Sequence, residues 1–211
     1  MNVLVIAPHP DDESLGCGGA LCLHADKGDR VVAVFLSSGE LGLKQLAPAQ
    51  AWEIREREAR KAAKIIGLAE LFFLRQPDWY LRASKKKAAA ALHPILKREL
   101  PKLIYLPHPR EWHPDHQAAL PILRAAVKLA RIAKPELRGY EVWTPLSDFD
   151  HVENISAVMS RKLRAVRAHR SQFAEINYPL AIRGLNQYRG ALSGRCPFAE
   201  VFQTLDLASP R

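Results

Sequence analysis

The chain has 211 residues, 48% of them hydrophobic and 25% charged, a composition that suits one globular domain, 1–211, with a sizeable core. No apolar run approaches the roughly 20 residues of a membrane span, and the first strand begins at Asn2 or Val3, leaving no room for a secretion signal; a cytoplasmic protein without a membrane partner is expected. The net charge of +9 is spread over helix faces, with Arg57, Arg60, Lys61 and Lys64 on one outer stripe and more basic residues at 85–87, 97–102 and 161–170, so no nucleic-acid partner is expected.

In chain order, the first predicted element is a buried strand over Val3–Ala7, closed by a proline-bounded cluster, His9, Asp11, Asp12 and Glu13. Four ionisable side chains in five positions repel one another and are costly to desolvate, so folding alone gives little reason to gather them; a bound cation does. The glycines at 16–19 lack the G-x-G-x-x-G spacing of a dinucleotide site, and the acidic cluster occupies the place of a pyrophosphate, which excludes a nicotinamide or flavin cofactor. Cys17, Cys22 and Cys196 form no C-x-x-C pair and read as small core residues. A second strand, Val31–Leu36, precedes a helix over 50–68 that buries Ala59, Ala62, Ala63 and Ile66 and stops at Gly67. Arg55 shares the inward register of Ala59, Ala62 and Ile66, so it points toward the sheet and the site; a structural ion pair, for instance to Glu58, is the competing expectation.

A third strand over Leu71–Leu74 leads to an alanine-rich helix N-capped by Ser84, which Pro94 is expected to kink or restart. The fourth strand, Leu103–Leu106, ends in a second cluster, PHPREWHPDH at 107–116, and a fifth is predicted over Tyr140–Thr144. Alternating strands and helices argue for an α/β fold, a Rossmann-like, doubly wound, mostly parallel sheet with helices on both faces. The order 3-2-1-4-5 sets strands 1 and 4 side by side, so the two clusters meet at the crevice beyond their carboxyl ends. His9, Asp12 and one histidine of the second cluster then make a three-ligand set of the kind that leaves a metal an open position. Spacing alone does not choose between Asp11 and Asp12, or between His113 and His116. A neighbouring carboxylate would take a proton from water, and a second, protonated histidine would stabilise the oxyanion. The solitary His24, His93, His151 and His169 read as structural, and His108 is left open. Glu13 is expected either to orient His9 or His116 or to favour the helix start.

PHPDDE at 8–13 with HPDH at 113–116 resembles the LmbE-like, or PIG-L, family of zinc-dependent N-acetylglucosamine deacetylases, whose fold is Rossmann-like. Supporting matches lie at 54–68, at Asp78, at 161–173 and at 189–202. The resemblance implies that His9, Asp12 and His116 bind Zn2+, with Fe2+ as another metal the site would take. It also implies Asp11 as general base, His113 as electrophilic acid, and substrate contacts from Arg55 and Asp78. The substrate is then a small N-acetylated sugar conjugate. The alternatives are an amidase for a larger acyl group and a non-enzymatic module for an anionic partner, and a homo-oligomer is left open. Trp79 and Asn154 depart from the family pattern, the first at the substrate pocket.

Overall fold

The computed structural model describes residues 1–173 and 176–208. A seven-stranded sheet is ordered β3-β2-β1-β4-β5-β7-β6, with β1 (Asn2–Ala7), β2 (Arg30–Phe35), β3 (Glu70–Phe73), β4 (Leu103–Pro107) and β5 (Glu136–Tyr140) parallel. β7 (Ala199–Leu205) runs antiparallel to both β5 and β6 (His151–Asn154). The α/β class and the order 3-2-1-4-5 are as expected. Both faces of the central strands are apolar, so side chains alternate between two cores: Val3 and Val5 pack with α1 (Asp12–Asp26) and α2 (Pro48–Ile66), whereas Leu4 and Ile6 pack with α3 (Lys85–Glu99) and α4 (Pro114–Ala130). Two further helices, α5 (Met159–Val166) and α6 (Tyr178–Arg189), follow the β6 hairpin arm.

Three local expectations change. β5 lies at Glu136–Tyr140 rather than 140–144, because the apolar stretch beyond Tyr140 is spent on a loop over the site. α3 runs through Pro94 unbroken; the carbonyl of Ala90, which the missing Pro94 N–H would have used, lies 2.8 Å from His93 Nδ1. Ser84 holds the N-cap position of α3 without a side-chain capping bond. Gly67 ends α2 at φ 97°, a conformation that only glycine takes freely. Cys17 and Cys22 are buried and free, while Cys196 is only half-buried. Arg57, Arg60, Lys61 and Lys64 are exposed, as read from the sequence.

α1 is two helices joined at a break. Cys17 leaves helical geometry (φ −138°, ψ 15°), and the amides of Gly19 and Ala20, which open the second half, donate to Glu200 of β7 at 2.7 and 2.8 Å. Lys162 Nζ of α5 balances that carboxylate at 2.6 Å, both side chains being essentially inaccessible to solvent. At the far edge, β6 pairs only Ala199–Phe202 of β7, and beyond it the Asp150 carboxylate accepts the Thr204 N–H at 2.9 Å. No helix among the described residues is long and apolar enough to cross a membrane.

Candidate active site

The loops leaving the carboxyl ends of β1 to β5, with the segment after α5, enclose a cavity of about 540 Å³. His9, Asp11 and Asp12 come from the β1 loop, Arg55 from α2, Asp78 and Trp79 from the β3 loop and His113 from the β4 loop, and all seven line it. His116, one turn into α4, is fully buried beneath them.

His9, Asp12 and His116 each direct a ligand-type atom to within 4.8 Å of the others. His116 Nε2 is 3.3 Å from Asp12 Oδ1, and His9 Nδ1 is 3.3 Å from Asp12 Oδ2. Neither ring nitrogen of His116 has a hydrogen-bond partner among the described residues, a costly state for a buried imidazole unless a cation takes a lone pair. His9 is prepared on its other side: Nε2 lies 3.1 Å from Asp78 Oδ1 and 3.3 Å from Asp115 Oδ2, so that nitrogen carries the proton and Nδ1 is left to ligate. Burial opposes charge on His9, but Asp115, Asp12 and Asp78 hold its pKa well above the ordinary value. Burial likewise pushes Asp12 up, yet His116 and His9 beside it hold its carboxyl below the usual range. His9, His113 and Asp115 form a second close set, but Asp115 already accepts the Trp79 and Leu81 amides at 2.7 and 3.0 Å. The donor types and the unpartnered imidazole fit a divalent transition metal on the first set.

Asp11 faces the same space in a strained conformation, φ 138°, rare for any residue but glycine. It is held there because its N–H donates to Glu13 Oε2 at 3.1 Å, its carbonyl accepts the Ser14 and Leu15 amides, and its Oδ2 receives Arg55. Burial, offset in part by Arg55, raises its pKa to about 6. His113 caps α4: its Nδ1 accepts the Asp115 N–H at 3.2 Å, which leaves the proton on Nε2. Burial and the neighbouring His9 and His116 push its pKa down to about 4.

Arg55 is inward as predicted, but its partners are not. The guanidinium donates to Gly39 O at 3.0 Å, Pro10 O at 2.6 Å and Asp11 Oδ2 at 3.1 Å, while Glu58 accepts from Ser171 instead. Nε is the guanidinium nitrogen without a hydrogen-bond partner among the described residues. Asp78 ties the Leu41 amide and His9 together, and the two give it a lowered pKa despite burial. Glu13 reaches neither His9 nor His116; it holds the Asp11 amide and lies 3.3 Å from His169 Nε2. His169, read as solitary and structural, is thus buried directly behind the Asp11 loop with Glu13 as its partner. His108 is structural: its Nε2 lies 2.8 Å from Thr144 O, joining the β4 and β5 loops. His24, His93 and His151 lie away from the site, and Asn154 accepts the Ser156 amide in a turn.

Glu111 went unremarked in the sequence. It is fully buried, accepts the amides of Val142, Trp143 and Thr144, and lies 4.0 Å from His116 Nδ1, so it fixes the β5 loop over the pocket.

Residues 4–127 match the family described as PIG-L, the GlcNAc-PI de-N-acetylases. The chain belongs to the PIG-L family. It is 30% identical to a diacetylchitobiose deacetylase of Thermococcus kodakarensis, covering 95% of this chain and 88% of that protein. It is 30% identical to a Bacillus cereus protein named "Probable N-acetyl-alpha-D-glucosaminyl L-malate deacetylase 2", over 81% of this chain and 83% of the other. Among solved structures it resembles the N,N'-diacetylchitobiose deacetylase of Pyrococcus horikoshii, with a TM-score of 0.85, 25% identity and coverage of 98% and 84%. Metal dependence is a property of PIG-L deacetylases, and His9, Asp12 and His116 are candidate ligands for it.

Proposed function

We propose that this PIG-L protein hydrolyses the N-acetyl amide of a small N-acetylglucosamine conjugate, releasing acetate and the free amine, with His9, Asp12 and His116 holding a divalent metal, Zn2+ in the first instance. The observation that carries the reading is the buried His116 imidazole, neither nitrogen of which has a hydrogen bond among the described residues, beside Asp12 and His9 beneath the cavity. A metal held there supplies Lewis acidity, making water a better nucleophile and the amide carbonyl a better electrophile.

The chain's own residues account for the proton movements. Arg55 occupies Asp11 Oδ2, so Oδ1 is the atom that accepts the proton of the attacking water, and a pKa near 6 leaves the carboxylate ionised yet basic at neutral pH. His113 Nε2–H donates to the acetyl oxygen as negative charge gathers there. Asp11 then returns its proton to the amide nitrogen as the C–N bond breaks. Asp78 and Arg55 contribute by fixing His9 and Asp11. The names of the relatives, which act on acetylated glucosamine joined to a second sugar, malate or inositol, support this substrate class. The test is amine release from such conjugates by zinc-loaded protein: stoichiometric amine and acetate are expected, and metal-loaded protein that releases neither would overturn the assignment.

A further inference from the structure

A metal and Arg55 account for only part of the charge crowded at residues 9–13. His9 and His116 flank Asp12, and Arg55 balances Asp11, but Glu13 is a third consecutive carboxylate and is only 1% exposed. Its partner comes from outside the loop. His169, equally buried, sets Nε2 3.3 Å from Glu13 Oε1, and the adjacent Ser14 hydroxyl donates to the same oxygen at 2.7 Å. The other oxygen, Oε2, accepts the Asp11 N–H at 3.1 Å. A line of contacts thus runs from His169 through Glu13 to the backbone of the proposed base.

Two features give that line a use. Asp11 holds φ 138°, which strains any residue that carries a side chain, and its N–H has Glu13 as acceptor. Released from that acceptor, the peptide would relax toward ordinary φ and carry Oδ1 away from the water it deprotonates. His169 Nδ1, for its part, is buried with no hydrogen-bond partner among the described residues, a cost that an apolar side chain of similar size would avoid. Packing alone therefore gives no reason for an imidazole there; the contact of its other nitrogen does. The segment that carries His169 has a separate anchor, since the Ser171 N–H and hydroxyl donate to Glu58 of α2 at 2.9 and 2.7 Å.

We propose that His169 is a positioning residue for the hydrolysis: by fixing the Glu13 carboxylate it keeps Asp11 in its strained conformation, with Oδ1 turned to the attacking water. This role rests on the deacetylase reading and is exerted from behind the cavity wall.

The experiment compares zinc-loaded wild type with His169→Phe, which keeps a ring without a donor, and with His169→Gln, which restores an N–H. Three quantities are read: bound zinc, kcat and KM for amine release from N,N'-diacetylchitobiose, and hydrogen exchange of the Asp11 amide by NMR. His169→Phe should bind zinc stoichiometrically, hold KM within about twofold and lose kcat by about 10- to 100-fold, with the Asp11 amide exchanging about tenfold faster. His169→Gln should recover most of the turnover and of the protection. If the phenyl ring prevents folding, His169→Leu makes the same comparison. Full kcat in the donor-free variant, zinc lost along with activity, a raised KM at constant kcat, or a Gln variant no better than Phe would each overturn the role. An Asp11 amide whose protection depends on His169, in a wild type that releases no amine, would uphold the positioning and fault the deacetylase reading instead.

Discussion

At the scale of single residues, the proposed mechanism separates atoms that would hold a metal from atoms that would react. Asp11 and Asp12 are neighbours in sequence, yet Asp12 sits between two imidazoles while Asp11 is turned by its positive φ toward Arg55. Asp11→Asn should therefore keep its metal, measured by elemental analysis, while kcat falls by about 10² to 10⁴; full turnover in the metal-loaded variant would remove the base assignment. Arg55→Ala should lose about 3 to 5 kcal/mol of stability in denaturant titration, because it leaves the buried Asp11 carboxylate without its counter-ion and takes a donor from the Pro10 carbonyl. A variant of unchanged stability with only a raised KM would restore the substrate-contact role. His169 gives a pH dependence. Burial pulls its pKa down, but the hydrogen bond and charge of Glu13, with Asp11 nearby, raise it above the ordinary histidine value. A raised folded-state pKa contributes stability that is fully present below about 6.5 and is lost as pH rises through the folded value. The melting temperature of wild type minus that of His169→Gln should thus shrink as pH climbs above about 6.5, and a difference that grows would contradict the pairing. The metal-type cluster was legible because unlike residues were crowded beyond a strand. His169 and Glu111 were not, since their partners lie 156 and 31 or more positions away in sequence and no local pattern encodes such a meeting.

At the scale of elements, periodicity revealed β1, β2 and β4 because strands buried on both faces are short apolar runs, and the half-buried edge strand β3 is a short apolar run too. It misplaced β5, whose large core residues Leu137 and Tyr140 are separated by Arg138 and Gly139, and it missed β6, four partly exposed residues whose strand character comes from pairing with β7. The break in α1 was equally hidden, because the carboxylate that caps its second half arrives from the other end of the chain. Lys162→Met should cost about 3 to 5 kcal/mol, read as a lower denaturation midpoint with unchanged slope, since Glu200 would keep its charge and its two amides but lose its counter-ion. Partial recovery in Lys162→Met combined with Glu200→Gln is expected, and a single variant as stable as wild type would show that the pair is dispensable.

At the scale of the molecule, a metal held by His9, Asp12 and His116 would tie the first strand's loop to a helix that begins about a hundred residues later, so binding it should stabilise the whole fold. Adding zinc to metal-free wild type at 100 times its dissociation constant should raise stability by about 2.7 kcal/mol, seen as a higher melting temperature, and His116→Ala should lose both that rise and the activity. A variant that still gained stability from zinc would place the metal elsewhere. The doubly wound order was legible from the alternation of elements, and with it the meeting of the two clusters; the antiparallel extension through β7 and β6 was not, because its pairings are non-local. That extension bears on how the protein behaves when crowded. A sheet normally ends in a strip of free amides and carbonyls onto which another chain can crystallise, and β7 outruns its neighbour β6 by Gln203–Leu205. Asp150 occupies the one amide there, Thr204's, with a charge that repels an incoming backbone carbonyl. The last strand thus carries its own stopper against fibre growth, and neutralising it should shorten the lag before aggregation in concentrated solution.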